Sequence, residues 1–326
     1  SVFLLGPMLA LKRSVHMGFP GGCDIGKRPV DIHLEALRRM GAEIEEKDGK
    51  IVCTVKQLRG ASVRLPFPSV GATENIMMAA AMAEGVTVIR NAAREPEIIE
   101  LQDFLNAMGA EISGAGTSVI IISGKKQLHG AEWTVMSDRI EAGTLILAAA
   151  VTGGEIFVKN APSASMESFL QCIRRSGVKI DIQPDGIGVS APPRLSASGK
   201  IETEPYPGFP TDLQSQFLAA MTAASGVSMI EENIFENRFK VLKPLRLMGA
   251  DITLSENRAC VNGVEKLHGA RVKAEELRGG AALVIAGLAA EGDTVIENVC
   301  LIDRGYDKLE MTLRDLGADI ARVKEV

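Results

Sequence analysis

Apolar and polar positions along this chain follow two periods, and the pattern recurs. Leu101, Phe104, Leu105 and Met108 stand at i, i+3, i+4 and i+7, as do Met166, Phe169, Leu170 and Ile173. That spacing lays an apolar stripe along one face of a helix. The first of these stripes runs into a Gly-Ala-acid-Ile strand start at Met108-Gly109-Ala110-Glu111-Ile112. The same start recurs at Met40-Gly41-Ala42-Glu43-Ile44, Met248-Gly249-Ala250-Asp251-Ile252 and Leu316-Gly317-Ala318-Asp319-Ile320, with a looser copy at Ser176-Gly177-Val178-Lys179-Ile180. Glycine is expected to end each helix, because the position after the cap takes a positive φ. These five glycines are 68, 68, 72 and 68 residues apart, a regularity that marks internal duplication.

Other marks recur in phase. Ala83-Glu84-Gly85-Val86-Thr87-Val88-Ile89 matches Ala290-Glu291-Gly292-Asp293-Thr294-Val295-Ile296, and Leu58-Arg59-Gly60-Ala61 matches Leu128-His129-Gly130-Ala131 and Leu267-His268-Gly269-Ala270. The repeat reads as a small-residue apolar helix (residues 75–83), a β-rich run (87–89), an amphipathic helix, and two strands (the second at 119–122). This αβαββ unit is too small to bury both faces alone, so copies must pack on one another. His129 and His268 occupy equivalent positions, with Arg59 at a third, so they are expected to be structural. His16 and His33 have no partner at metal-ligand spacing, and neither a P-loop nor a GxGxxG run is present. No metal and no cofactor is expected.

Departures from the repeat are where function is expected. Between the helices at residues 1–10 and 34–40, residues 16–28 form a long insertion, which takes in most of Phe19-Pro20-Gly21-Gly22-Cys23-Asp24-Ile25-Gly26-Lys27-Arg28-Pro29-Val30-Asp31. Its glycines allow close backbone approach to a ligand, and the cations favour a Cys23 thiolate; a glycine turn over a buried Cys is the alternative. In Pro210-Thr211-Asp212-Leu213-Gln214, Asp212 reads either as a helix cap or dipole partner or as a general base. Arg28, Arg238, Arg278 and Arg304 all lie at such departures and suggest convergence on an anion.

Composition narrows the classes. The 326 residues are enough for about two domains. A net charge of −5, no Lys/Arg block, one Trp and two Tyr exclude a nucleic-acid platform. Five widely spread cysteines without a CxxC pair suit a reducing cytoplasm. Cys53, Cys172, Cys260 and Cys300 are expected in packed positions. No stretch reaches the roughly 18 to 20 apolar residues of a membrane helix, and no signal peptide is read, so a cytoplasmic protein with no membrane partner is expected.

The Cys23 segment resembles the catalytic loop of the UDP-N-acetylglucosamine 1-carboxyvinyltransferases. The similarity continues through Ser69-Val70-Gly71-Ala72-Thr73, Asn91-Ala92-Ala93-Arg94-Glu95-Pro96-Glu97, residues 209–217, Phe235-Glu236-Asn237-Arg238-Phe239 and Asp303-Arg304-Gly305-Tyr306, covering essentially the whole chain. The resemblance implies an α/β two-domain enolpyruvyl transferase fold, an inside-out α/β barrel of βαβαββ units. Domains are expected at residues 1–136 and 137–326. The implied activity is transfer of the enolpyruvyl group of phosphoenolpyruvate to the 3′-hydroxyl of UDP-N-acetylglucosamine, with release of phosphate, as the first committed step of peptidoglycan synthesis. Both small molecules are the implied partners.

By the same resemblance Cys23 is the proton donor that can also form a pyruvate adduct, and Asp212 is the base on the sugar hydroxyl. Arg28, Arg278 and Arg304 hold phosphate and carboxylate, and Arg238 belongs with them. Arg28, Pro29, Val30, Asp31, Ile32, Ser69, Val70, Gly71, Asp212 and Ile234 contact the UDP-sugar. The family's leading unit, with a Lys-Asn pair, is absent from this sequence. Five copies stand where two sets of three are expected, so about 90 residues are expected to be missing. Two other readings remain: 3-phosphoshikimate enolpyruvyl transfer, against which Cys23 speaks, and a catalytically dead nucleotide-sugar-binding paralogue.

Overall fold

The structure is a computed structural model that describes residues 2–18, 30–47 and 49–323. The described residues form two compact units, one running to Met136 and the other starting at Ser137. Each has its own apolar core.

The first unit holds two copies of the repeat. The first comprises α1 (Leu5–Lys12), β1 (Ser14–Gly18), α2 (Val30–Arg39), β2 (Glu43–Lys47) and β3 (Lys50–Thr54). The second comprises β4 (Ser62–Arg64), α3 (Val70–Ala80), β5 (Val86–Arg90), α4 (Pro96–Ala107), β6 (Glu111–Ser113) and β7 (Val119–Ser123). Their sheets run β1-β3-β2 and β4-β5-β7-β6. The second unit holds three copies. α5 (Arg139–Val151), β8 (Glu155–Lys159), α6 (Glu167–Arg175), β9 (Lys179–Gln183) and β10 (Gly186–Ser190) form one. β11 (Lys200–Glu202), α7 (Thr211–Thr222), β12 (Val227–Glu231), α8 (Leu242–Leu247), β13 (Asp251–Ser255) and β14 (Arg258–Asn262) form the next. The last has β15 (Leu267–His268), β16 (Arg271–Lys273), α9 (Leu277–Leu288), β17 (Ala290–Glu291), β18 (Val295–Glu297) and α10 (Leu309–Asp315). Sheets β8-β10-β9 and β11-β12-β14-β13 repeat the order seen in the first unit.

The helices that open the copies are wrapped in protein, and the sheets lie outside. In α3, Ala72, Ile76, Met77, Ala79 and Ala80 are fully buried. On the sheets one face packs and the other meets solvent: Ile120 and Ile122 of β7 are buried while Ile121 between them is 45% exposed. This is the period-2 pattern of a sheet covered on one side.

The repeat glycines behave as chain-reversal devices. Gly41, Gly109, Gly177, Gly249 and Gly317 have φ of +96°, +94°, +93°, +89° and +101°, a region in which a Cβ is strained. The backbone N–H of Arg59, His129 and His268 donates to the carbonyl of Met40, Met108 and Met248, at 2.9 Å each. Both histidine rings lie over the glycine of their own copy. These histidines close helix ends, and their recurrence has a structural cause.

Four expectations change. The repeat is βαβαββ in its complete copies, because β4, β11 and β16 precede the helix and pair in parallel with β5, β12 and β18. They are three residues long and give no alternation to read. His16 lies in β1, so the long connection does not begin there. In the fifth copy no strand is described at Asp319 and Ile320. Cys53 and Cys172 are buried, but Cys260 is partly exposed and Cys300 exposed. The latter sits in a 3-10 turn, Val299–Leu301, rather than in a packed strand.

Candidate active site

Cys23, Arg28 and Pro29 lie outside the described residues. The other residues singled out from sequence fall into one group in each unit.

In the first unit, Val30, Asp31 and Ile32 form the first turn of α2, and Ser69, Val70 and Gly71 the start of α3. Ser69 is the N-cap of α3: its Oγ accepts from the N–H of Ala72 at 3.3 Å. The two helices are joined through Asn75. Its amide nitrogen lies 3.0 Å from His33 Nδ1 and donates to the carbonyl of Val2, while its oxygen accepts from the N–H of Gly6 at 2.6 Å. Burial pushes the His33 imidazole down to about 4, against a smaller opposing pull from Asp31. The ring is therefore neutral, and its Nδ1 accepts from Asn75. Gly71 packs closely here, since a Cβ there would sit 3.3 Å from Phe3 and 3.4 Å from His33.

In the second unit, Asp212 is the second residue of α7. Pro210 is the N-cap, and the Asp212 carboxylate caps nothing. It is held instead by two guanidinium groups. Arg238 Nη2 donates to one oxygen, and Arg278 Nη2 to the other at 3.0 Å. The side chain is still 41% exposed. Burial of the carboxyl pushes its pKa up, but Arg278 and Arg238 outweigh this and hold it below the ordinary carboxylate range. This geometry contradicts the N-cap reading, while a carboxylate in the first turn of α7 still suits a dipole partner.

The two arginines differ. Arg238, on a 3-10 turn (Arg238–Val241), is almost wholly buried and stacks on Phe235 at 5.2 Å. All three of its nitrogens face protein groups: Nε donates to Thr211 Oγ1 at 3.2 Å, Nη2 to Asp212, and Nη1 stands 3.6 Å from Glu276. The Thr211 hydroxyl donates to the Glu232 carboxylate, which also accepts from the N–H groups of Ile234 and Phe235 at 2.8 and 3.0 Å. Ile234 is thereby tied to the Asp212 turn through Thr211. Arg278, the second residue of α9, has a side chain 12% exposed and an Nε without a partner among the described residues.

Arg304 lies on an exposed turn two residues before Tyr306, which is buried and places its hydroxyl 3.2 Å from Arg278 Nη1. Gly305 lets the turn approach α9, since a Cβ there would meet Leu277 at 2.9 Å. Gly279 lets Glu276, the N-cap of α9, reach the N–H groups of Arg278 and Gly279. Asp212, Arg238, Arg278 and Ile234 therefore converge, and the Arg304 turn is fastened beside them. Glu276, Glu232, Thr211, Gln216 and Thr144 were not singled out from sequence. Gln216 and Thr144 share one signal: each is the sixth residue after its N-cap, as Asn75 is in α3.

A family model described as EPSP synthase (3-phosphoshikimate 1-carboxyvinyltransferase) matches residues 1–313. The UDP-N-acetylglucosamine 1-carboxyvinyltransferase 2 of Caldanaerobacter subterraneus subsp. tengcongensis is 50% identical over 323 residues, covering 99% of this chain and 78% of that protein. The chain belongs to the UDP-N-acetylglucosamine 1-carboxyvinyltransferase family. Similar relatives include the carboxyvinyltransferase 1 of Symbiobacterium thermophilum, 51% identical over 99% of this chain and 73% of its own length. Another is the Geobacter metallireducens enzyme, 49% identical over 100% of the chain and 78% of its own length. The chain thus spans about three quarters of the length of these carboxyvinyltransferases. Among solved structures, the enolpyruvyl transferase NikO from Streptomyces tendae superposes with a TM-score of 0.87 at 23% identity, over 98% of this chain and 76% of that one. An EPSP synthase from Acinetobacter baumannii gives 0.71 at 20% identity, over 98% and 77%. These two support the enolpyruvyl transferase fold. Among the described residues no helix is long and apolar enough to cross a membrane, and no cluster of His, Cys, Asp or Glu could hold a metal ion.

Proposed function

We propose that this chain transfers the enolpyruvyl group of phosphoenolpyruvate to the 3′-hydroxyl of UDP-N-acetylglucosamine, releasing phosphate, with Asp212 as the base. The observation that carries the reading is the Asp212 carboxylate held at the mouth of α7 between Arg278 and Arg238. Relatives named for this substrate, about 50% identical across the chain, favour it over transfer to 3-phosphoshikimate.

The chemistry needs one acid and one base. A proton added to the methylene carbon of phosphoenolpyruvate leaves an oxocarbenium-like centre at C2. The sugar oxygen attacks that carbon and sheds its own proton. Loss of phosphate and of a methyl proton then restores the double bond. Asp212 is ionised at neutral pH because of its two cationic partners, so it stands in the proton-accepting form; the same partners lower its basicity. It takes the proton as the C–O bond forms, when that hydroxyl has become acidic. Cys23 is the acid in this reading. Arg278 and Arg304 meet the anionic groups in this reading, and fixed guanidinium groups suit a compact polyanion. Arg238 locks the base in place. The starts of α2 and α3 offer backbone N–H groups to the UDP moiety.

Titration with UDP-N-acetylglucosamine, followed by a phosphate-release assay with phosphoenolpyruvate, tests this. Binding together with turnover that requires both substrates is expected. Binding without turnover would favour the nucleotide-sugar-binding reading, and turnover with 3-phosphoshikimate in its place would overturn the substrate assignment.

A further inference from the structure

Tyr306 is 1% exposed, and its hydroxyl oxygen meets three side chains from three helices. Thr144 Oγ1 of α5 is 2.9 Å away, Gln216 Nε2 of α7 3.0 Å and Arg278 Nη1 of α9 3.2 Å. The direction of every bond can be worked out. A phenol donates once and accepts twice. An arginine nitrogen only donates. The Gln216 amide nitrogen also reaches the backbone carbonyl of Asp212 at 2.9 Å, which can only accept, so this end of the amide is its NH2 group. Tyr306 therefore accepts from both Arg278 and Gln216, and its own proton goes to Thr144. Thr144 in turn donates to the carbonyl of Ile140 at 2.8 Å.

A buried tyrosine with a satisfied hydroxyl is common in protein cores. Here, however, both donors to the phenol lead to the same residue. Arg278 grips Tyr306 with Nη1 and the Asp212 carboxylate with Nη2, and two fixed points set the orientation of a planar guanidinium. Gln216 grips Tyr306 with one N–H and the Asp212 main chain with the other. The Arg278 guanidinium also stacks on the Tyr306 ring at 5.6 Å.

We propose that the Tyr306 hydroxyl is a positioning group for the transfer reaction: it fixes Arg278 and the first turn of α7, and through them the direction in which the Asp212 carboxylate points. This rests on Asp212 being the base. Tyr306 touches no reacting atom; it acts through Arg278 and Gln216.

The test is Tyr306→Phe, which removes one oxygen and keeps the ring. Two readouts are used. The first is the pH titration of the Asp212 carboxyl carbon by 13C NMR, with the resonance assigned by its loss in Asp212→Asn. The titration midpoint is expected to move up, toward the ordinary carboxylate range, as Arg278 loses its anchor. The second is phosphate release: kcat is expected to fall roughly 100-fold with KM for the sugar nucleotide little changed, because a displaced catalytic group costs rate more than binding. In an Arg278→Lys background the Tyr306→Phe effect on kcat should shrink to the part carried through Gln216, a coupling that a purely structural tyrosine would not produce. A midpoint and a kcat per folded molecule that both stay at the wild-type values would overturn the proposal. Should Tyr306→Phe fail to fold, Thr144→Val removes the acceptor of the phenol proton while the Tyr306 oxygen stays, at the loss also of the Thr144 hydroxyl's bond to the Ile140 carbonyl and its 3.4 Å contact with Gln216. It should give the same changes at roughly fivefold in kcat, and no change in either readout would overturn the proposal. If the unaltered chain releases no phosphate with both substrates, the functional reading fails, while the carboxyl titration still decides whether Tyr306 positions Asp212.

Discussion

The two units use the same helix positions for different chemistry. Counted from the N-cap, the second residue is Gly71 in α3, Ile140 in α5, Asp212 in α7 and Arg278 in α9. The sixth is Asn75, Thr144 and Gln216 in the first three. In the first unit the sixth position is a neutral knot: Asn75 ties α1, α2 and α3 through Gly6 and an uncharged His33. In the second it is a neutral knot beneath a charged layer. Gln216 and Thr144 meet at Tyr306, and above them Asp212, Arg238, Arg278 and Glu276 alternate in sign. A duplicated scaffold keeps its polar junction for packing. Its second position, nearer the helix mouth, varies: glycine in α3, isoleucine in α5, and ionisable groups in α7 and α9, where chemistry is proposed.

The largest break in this comparison is expected from Arg238→Ala. It strips Asp212 and the buried Glu276 of a cation and leaves the Thr211 hydroxyl without its donor. Removing one partner from a buried charge network costs about 3–5 kcal/mol, read as a lowered denaturation midpoint. A change under about 1 kcal/mol would mean that the charged layer is not structurally coupled.

Next is the response of the first unit to acid. Folded His33 binds its proton near pH 4, and in the unfolded chain near 6.5. The unfolded state therefore binds more protons between these values. Its contribution is fully present above about 6.5 and is lost as pH falls toward 4, on the order of 3 kcal/mol. His33→Gln should flatten the stability profile across that window, and an unchanged profile would contradict a buried neutral imidazole. Glu74, pushed up to about 7 by burial and by Glu97 and Glu95, works in the opposite sense: its folded form prefers the proton, so stability is lost as pH rises from about 4.5 to 7. Glu74→Gln separates the two effects.

A smaller effect is expected from Asn75→Ala, about 1–3 kcal/mol from the unpartnered N–H of Gly6 and the lost His33 contact. Its acid sensitivity should fall with it. The smallest concerns thiols. Burial raises Cys53 and Cys172, so with an epoxide such as fosfomycin Cys23 should be modified first, exposed Cys300 next, and these two last. Mass mapping with Cys172 ahead of Cys23 would contradict this.

Much of the scaffold was legible because glycine writes geometry into sequence. A Met-Gly-Ala-acid-Ile run admits few conformations, and its spacing exposed the repeat before any element was placed. Asp212, Arg238 and Arg278 were visible because they break that repeat. The leading strands were not legible: β4 and β16 depend on a parallel partner more than 20 residues away in sequence, and three residues carry no period. Nor was Glu276, since glutamate is an unfavoured N-cap, and its carboxylate lies within 2.8 Å of where a side chain on Gly279 would begin. Gln216 and Thr144 look like ordinary core-helix residues until the copies are aligned on their N-caps.

The central claim is that the charged layer over the Gln216–Tyr306 knot is catalytic, while the Asn75 knot only packs. Phosphate release per folded molecule, measured for the unaltered chain, Asp212→Asn and Asn75→Ala with both substrates present, tests it most directly. Asp212→Asn should lose about 10²–10⁴-fold in kcat, and Asn75→Ala should keep kcat within about threefold despite its lower stability. Comparable losses in both variants, or full turnover in Asp212→Asn, would contradict it.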